Sequence, residues 1–181
     1  MGTDAIEGVF LNVKDYEDLK EKSNLILKVK VTNDRITYLD TTKTKVLVEE
    51  VYQAKDTSIS KKEMIYIYEP AAFLEYPDQT YNSIDGYQLM EAGKEYYVFL
   101  NPLKTAKGYK KSSEEEKTFL PSSTNFSVYP LEEGNTKVLD NDKMDSGEYR
   151  YKDIKTFEIL SMNGDILKQY RSIKKKLLSE F

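Results

Sequence analysis

The chain has 181 residues, of which 32% are charged and 39% hydrophobic, with a formal net charge of -4; this fits one domain with a core of its own. It has no cysteine and no histidine, which excludes a disulfide scaffold, a thiolate nucleophile, Cys- or His-ligated metals, a Ser–His–Asp triad and any histidine general base. The acidic balance argues against the basic field of a nucleic-acid binder, and no apolar run approaches the roughly 18 to 20 residues of a membrane-spanning helix.

The polar start, Met1-Gly2-Thr3-Asp4-Ala5, lacks the basic and apolar regions of a signal peptide. That leaves a cytosolic chain, or a mature form whose export segment has been removed. The first periodic segment follows. Val13, Tyr16 and Leu19 step by three, with Asp15 in the N-cap position, so a short helix is expected from Asp15 to Lys22, ending near Ser23-Asn24. Leu25, Leu27, Val29 and Val31 then alternate with Ile26, Lys28, Lys30 and Thr32, the pattern of a half-buried strand, and Asn33-Asp34 marks a bulge or turn before Ile36-Thr37-Tyr38. A second long strand is expected over Thr42 to Tyr52 and a third over Glu63 to Tyr68, where Met64, Tyr66 and Tyr68 face one way and Ile65 and Ile67 the other.

From Glu69 to Asp85 the alternation fails among Pro70, Pro77, Asp78, Asn82 and Ser83, so a long irregular loop is expected, itself a functional hint. Tyr96 to Leu100 is a strongly apolar strand closed by Asn101-Pro102. Lys104 to Lys117 reads as a solvated loop or hairpin tip, Thr118 to Leu131 as strand-rich, Glu132 to Glu148 as a second polar loop, and Tyr149 to Leu160 as either strand or helix. Ile166, Leu167, Tyr170, Ile173 and Leu177 step by three and four, an amphipathic helix that ends near the C-terminus. The expected fold is α+β and mainly β: an OB-like antiparallel five-stranded barrel with a short N-terminal helix and a C-terminal amphipathic helix. It forms a single domain over 1–181, with helix and barrel at 12–131, a polar connecting segment at 132–163 and the C-terminal helix at 164–181.

Three stretches resemble bacterial exported or lipid-anchored domains whose OB-like barrel is akin to the tissue-inhibitor-of-metalloproteinase and netrin modules. They are Lys22-Ser23-Asn24-Leu25-Ile26-Leu27-Lys28-Val29-Lys30-Val31, Thr44 to Lys55, and Gln88-Leu89-Met90-Glu91-Ala92-Gly93-Lys94-Glu95-Tyr96-Tyr97-Val98-Phe99-Leu100. Ala54-Lys55 stands where the family has Lys-Gly, and Val29 where it has glycine. The resemblance implies a barrel and an extracytoplasmic place at a bacterial cell surface, with a lipid anchor in the full-length form. The relatives' protease inhibition depends on an N-terminal cysteine, which this chain lacks.

Several stretches invite chemistry. Asp140 to Glu148 carries oxygen ligands at short spacing, but an EF-hand loop needs an oxygen ligand at Met144 and a glycine at Asp145, so the stretch reads as a solvated acidic loop. Ser58-Ile59-Ser60-Lys61 and Ser172-Ile173-Lys174-Lys175 fit Ser-x-x-Lys without the further motifs such hydrolases need. Glu49-Glu50, Glu114 to Glu116 and Glu132-Glu133 read as surface charge, and the basic residues from Lys168 to Lys176 as a solvated helix face. Of 15 tyrosines, seven lie between Tyr66 and Tyr97, and the loop members Tyr76, Tyr81 and Tyr87 are the candidate ligand contacts. The expectation is a non-enzymatic extracytoplasmic binding module without cofactor or metal, the soluble part of a surface lipoprotein, which contacts a protein or a cell-wall ligand through loop 70–87. The alternatives are an OB-type single-stranded nucleic-acid binder and a carboxylate-based hydrolase.

Overall fold

A computed structural model describes residues 12–74 and 80–181. Helix α1 (Tyr16–Lys22) is capped by Asp15, whose side chain accepts from the Asp18 N–H at 2.9 Å. The strands are β1 (Leu25–Tyr38), β2 (Thr41–Ala54), β3 (Met64–Glu69), β4 (Ala71–Leu74), β5 (Thr80–Ser83), β6 (Glu95–Pro102), β7 (Thr118–Pro121) and β8 (Val128–Pro130). β1, β2, β3, β7 and β6 pair in that order, and β6 pairs back onto β1, which closes a five-stranded barrel. β3 and β7 run parallel and the other barrel pairs antiparallel, while β8 extends the wall beside β6. This is the expected OB-like barrel, and closure removes most of the free strand edges.

The barrel interior takes the alternate residues Leu25, Leu27, Val29 and Val31 of β1, Val46 and Val48 of β2, Ile65 and Ile67 of β3, and Val98 and Leu100 of β6. A second core lies outside the wall. There α1 and α5 (Gly164–Glu180) cover Ile26, Tyr97, Phe99 and Tyr129 with Leu19, Leu167, Tyr170, Ile173 and Leu177. Ile26 is therefore buried rather than on a wet polar face, and Tyr96 to Leu100 is an unbroken apolar run because both sides of β6 are covered.

α5 is locked to the connecting segment by Glu158. Its side chain, only 3% exposed, accepts from Lys174 Nζ at 2.7 Å on both oxygens, from the Gly134 N–H at 2.7 Å and from the Tyr170 hydroxyl at 3.0 Å. These four contacts use the acceptor directions of the buried side chain, so burial leaves none of them unpaired.

Three stretches hold more structure than their sequence suggests, and a fourth holds less. The expected loop after Glu69 contains the hairpin of β4 and β5, paired from Ala71–Ser83 to Leu74–Thr80. Proline and polar punctuation hide it, because four-residue strands are too short to show a period. The Lys104 to Lys117 loop contains α2 (Ser113–Glu116), which begins in a capping box between Ser112 and Glu115. The 132–148 loop contains α3 (Asn141–Asp145), capped by Asp140, and Tyr149 to Leu160 resolves into α4 (Tyr151–Ile154) followed by irregular chain.

Candidate functional site

Tyr81 and Tyr87 do not form a common surface. Tyr87 is 2% exposed, and its hydroxyl donates to Glu69 Oε2 at 3.0 Å inside the barrel end. The ligand contact expected of Tyr87 is thus replaced by a core role: the Asp85-Gly86 turn, with φ of 50 and 80 and the Tyr87 N–H donating to the Ile84 carbonyl at 3.1 Å, swings the ring inward. Tyr81 is half-buried. Its ring packs against Phe73 and Tyr151, and its hydroxyl accepts from the Leu89 N–H at 3.0 Å and donates to Gln88 Oε1 at 3.2 Å. The Tyr76 contact lies outside the described residues.

The barrel end below this hairpin holds a buried carboxylate. Glu69 is 0% exposed; it accepts from the Thr44 hydroxyl, the Tyr87 hydroxyl and the Met90 N–H, the last at 2.9 Å. Burial pushes its carboxyl above the usual range, opposed by nearby Arg35 and by those three donors. Fully buried, the group ties the 84–90 segment to the wall.

Aromatic residues gather instead on the outer face of β1, β2 and β3. Cross-strand partners share a face. The register therefore sets Lys30, Leu47 and Met64 in one row, Lys45 and Tyr66 in the next, and Ile36, Lys43 and Tyr68 in a third. Tyr38 closes the patch, its ring 6.2 Å from that of Tyr68. The alternation of Val46, Ile65 and Ile67 into the core is what pushes these residues out. Lys43 lies along the sheet with Nζ 4.5 Å from the centre of the Tyr66 ring and 5.7 Å from that of Tyr68, and pairs with Glu114 from α2. Burial lowers its pKa, the Glu114 carboxylate and neighbouring tyrosines raise it, and the net shift is upward. Lys45 reaches Asp34 at 3.1 Å, which also holds its pKa above the ordinary value. Three apolar side chains stand largely in solvent here: Ile36 at 51%, Leu39 at 88% and Met64 at 43%.

In chemical terms the patch offers ring faces, apolar contact and lysine donors whose charge is matched by adjacent carboxylates. Rings at such a face stack on sugars or pack against a protein. Barrels of this topology bind ligands across the β2–β3 face and the loops beside it. The sequence does show the signal, in the alternation of Tyr66 and Tyr68 with Ile65 and Ile67, but it does not show that Tyr38, Lys43 and Lys45 join them; that depends on register.

Several of the remaining sequence candidates are occupied locally. A cleft of about 200 Å³ is lined by Glu91, Glu132, Glu133 and Glu158; Lys94 bridges Glu91 and Glu132 at 3.0 and 3.6 Å, and Glu158 is engaged by Lys174, Gly134 and Tyr170. Lys61 pairs with Glu50, and Arg171 binds Thr136. Asp140 caps α3 at the Lys143 N–H, and among the described residues no group of three acidic side chains is placed to hold a metal ion. No helix among them is long and apolar enough to cross a membrane. No family model matches the chain, and no curated protein matches it in sequence.

Proposed function

We propose that the protein is a non-enzymatic binding module, the soluble part of a bacterial surface lipoprotein working outside the cytoplasm, and that it contacts a protein or cell-wall ligand through the outer face of β1–β3. The observation that carries this reading is the cluster of Tyr38, Tyr66 and Tyr68 around Lys43, with Ile36, Leu39 and Met64 exposed beside it. Isolated exposed apolar residues need no explanation, but a contiguous group of them beside aromatic rings does. The resemblance of residues 22–31, 44–55 and 88–100 to exported barrel domains supports the compartment.

The matched charges favour this reading over single-stranded nucleic acid. A strand-binding groove needs unneutralised cations along the backbone path, whereas Lys43 and Lys45 are each held by a carboxylate. The test compares wild type with Tyr38→Ser/Tyr66→Ser/Tyr68→Ser in co-sedimentation with purified bacterial cell walls that retain their covalently attached proteins, with a single-stranded DNA oligonucleotide as the competing probe. Retention of wild type, its loss in the triple variant at unchanged circular dichroism, and no oligonucleotide binding at low salt are expected. Equal retention of both proteins, or tight oligonucleotide binding, would overturn the assignment.

A further inference from the structure

Barrel closure leaves one strand edge open. β1 pairs with β2 from Leu25 to Val31 and again, after a bulge, from Arg35 to Tyr38, but with β6 only from Leu25 to Lys30. The peptide group of Val31 is satisfied by the turn before β6: its N–H donates to the Lys94 carbonyl at 3.0 Å, and its carbonyl accepts from the Gly93 N–H at 2.8 Å. Beyond Val31 the strand runs on to Tyr38, and among the described residues no strand but β2 pairs with it there, although β4 packs near it.

The direction of the open peptide groups follows from the ladder. Along a strand, successive peptide groups face opposite edges. The Tyr66 N–H donates away from β2, to the Lys117 carbonyl, so Ile65, Ile67 and Glu69 face β2, where their partners Val46, Thr44 and Thr42 face back. Lys43 and Thr41 therefore face β1, opposite Ile36 and Tyr38. Arg35 and Thr37 are left with N–H and C=O directed at the open edge. On the outer face this edge carries Ile36, Tyr38 and Leu39, which are 51%, 47% and 88% exposed.

We propose that this edge is a self-association surface: it pairs antiparallel with the same edge of a second copy, with Ile36 opposite Ile36 on the two-fold axis. The edge is complementary to itself in that register and in no neighbouring one. With Ile36 on the axis, the outward groups of Arg35 meet those of Thr37 of the second copy, and the reverse, for about four backbone hydrogen bonds. Tyr38 then stands opposite Asp34 of the second copy, a hydroxyl donor against a carboxylate that already lies on this face beside Lys45. A one-residue slip sets outward groups against inward ones. A two-residue slip one way sets Arg35 against Arg35; the other way it runs the ladder into the turn, where Leu39 has a φ of 51. The product is a continuous sheet, β3-β2-β1 joined to β1-β2-β3. It sets two copies of the aromatic face side by side and raises avidity for a repetitive ligand.

The test is light scattering and sedimentation equilibrium of wild type, Thr37→Pro and Ile36→Lys from about 1 to about 200 µM. Thr37→Pro removes an N–H that makes no bond to the described residues, a change an edge strand tolerates. Ile36→Lys sets like charges together on the axis. Wild type is expected to approach twice its monomer mass at the upper concentrations, Thr37→Pro to stay monomeric, and Ile36→Lys to weaken association about tenfold or more. The Arg35 and Thr37 amides are expected to gain protection from exchange with rising concentration, a readout on wild type that decides the matter should Thr37→Pro lose its folded signal. A wild-type monomer over the whole range, or a dimer indifferent to both variants, overturns the proposal.

Discussion

Replacing Glu69 separates the charge of the buried carboxyl from its hydrogen bonds. Glu69→Ala removes the acceptor for the Thr44 hydroxyl, the Tyr87 hydroxyl and the Met90 N–H. A buried donor left unpaired costs about 1–3 kcal/mol, and the Thr44 hydroxyl can turn to lessen its share. The loss should be about 3–5 kcal/mol, or a melting temperature lower by about 6–20 °C for a chain of this size. Glu69→Gln keeps an oxygen for Tyr87 and Met90 and offers an N–H to the Thr44 hydroxyl, so it should fall within about 1 kcal/mol of wild type at neutral pH. The pH dependence has a definite sign. A carboxyl whose pKa is raised in the fold binds its proton more tightly folded than unfolded. Its contribution is complete below the ordinary value and is lost as pH rises through the raised one. Wild type should therefore gain on Glu69→Gln as pH falls toward about 4.5. Urea unfolding followed by circular dichroism at several pH values measures both effects. A Glu69→Gln variant as unstable as Glu69→Ala, or a wild type that loses ground to it on acidification, would refute the reasoning.

Further substitutions probe two tight turns and the anchoring of α5. A Cβ at Gly86 would lie 1.8 Å from the Leu160 carbonyl oxygen, at a φ of +80, where the Leu160 N–H also pairs with Gly86; Gly86→Ala should cost about 2–4 kcal/mol in thermal unfolding. Gly93→Ala, at φ +85 but facing open space, should cost only about 1 kcal/mol. Lys174→Met strands the buried Glu158 carboxylate and should cost about 3–5 kcal/mol, while adding Glu158→Gln should restore most of it; equal stability of the single and double variants would contradict the ion-pair account.

Long periodic elements were legible in the sequence because their burial is one-sided. The alternation of Leu25, Leu27, Val29 and Val31, and the helical steps of Leu167, Tyr170, Ile173 and Leu177, each name the face that meets a core. The Asp15 cap was readable for the same local reason. Short elements were not. The β4–β5 hairpin has strands too short to show a period, and α2 is a single turn held by its own Ser112–Glu115 capping box with no buried face to mark it. Tyr87 shows the limit for the site: its neighbours Asp85 and Gly86 look like a loop tip, and only the turn they make and the Glu69 acceptor show that the ring goes inward. The aromatic face needed register, since Tyr38 and Tyr68 are distant in sequence and meet only across three strands.

Site-specific photo-crosslinking tests the contact face most directly. A photoreactive side chain replaces Met64 on β3, 43% exposed, or Leu178 on α5, 51% exposed, in the protein at the surface of a producing bacterium. The account predicts a crosslinked protein or cell-wall product from position 64 and none from position 178; product from 178 alone would contradict it.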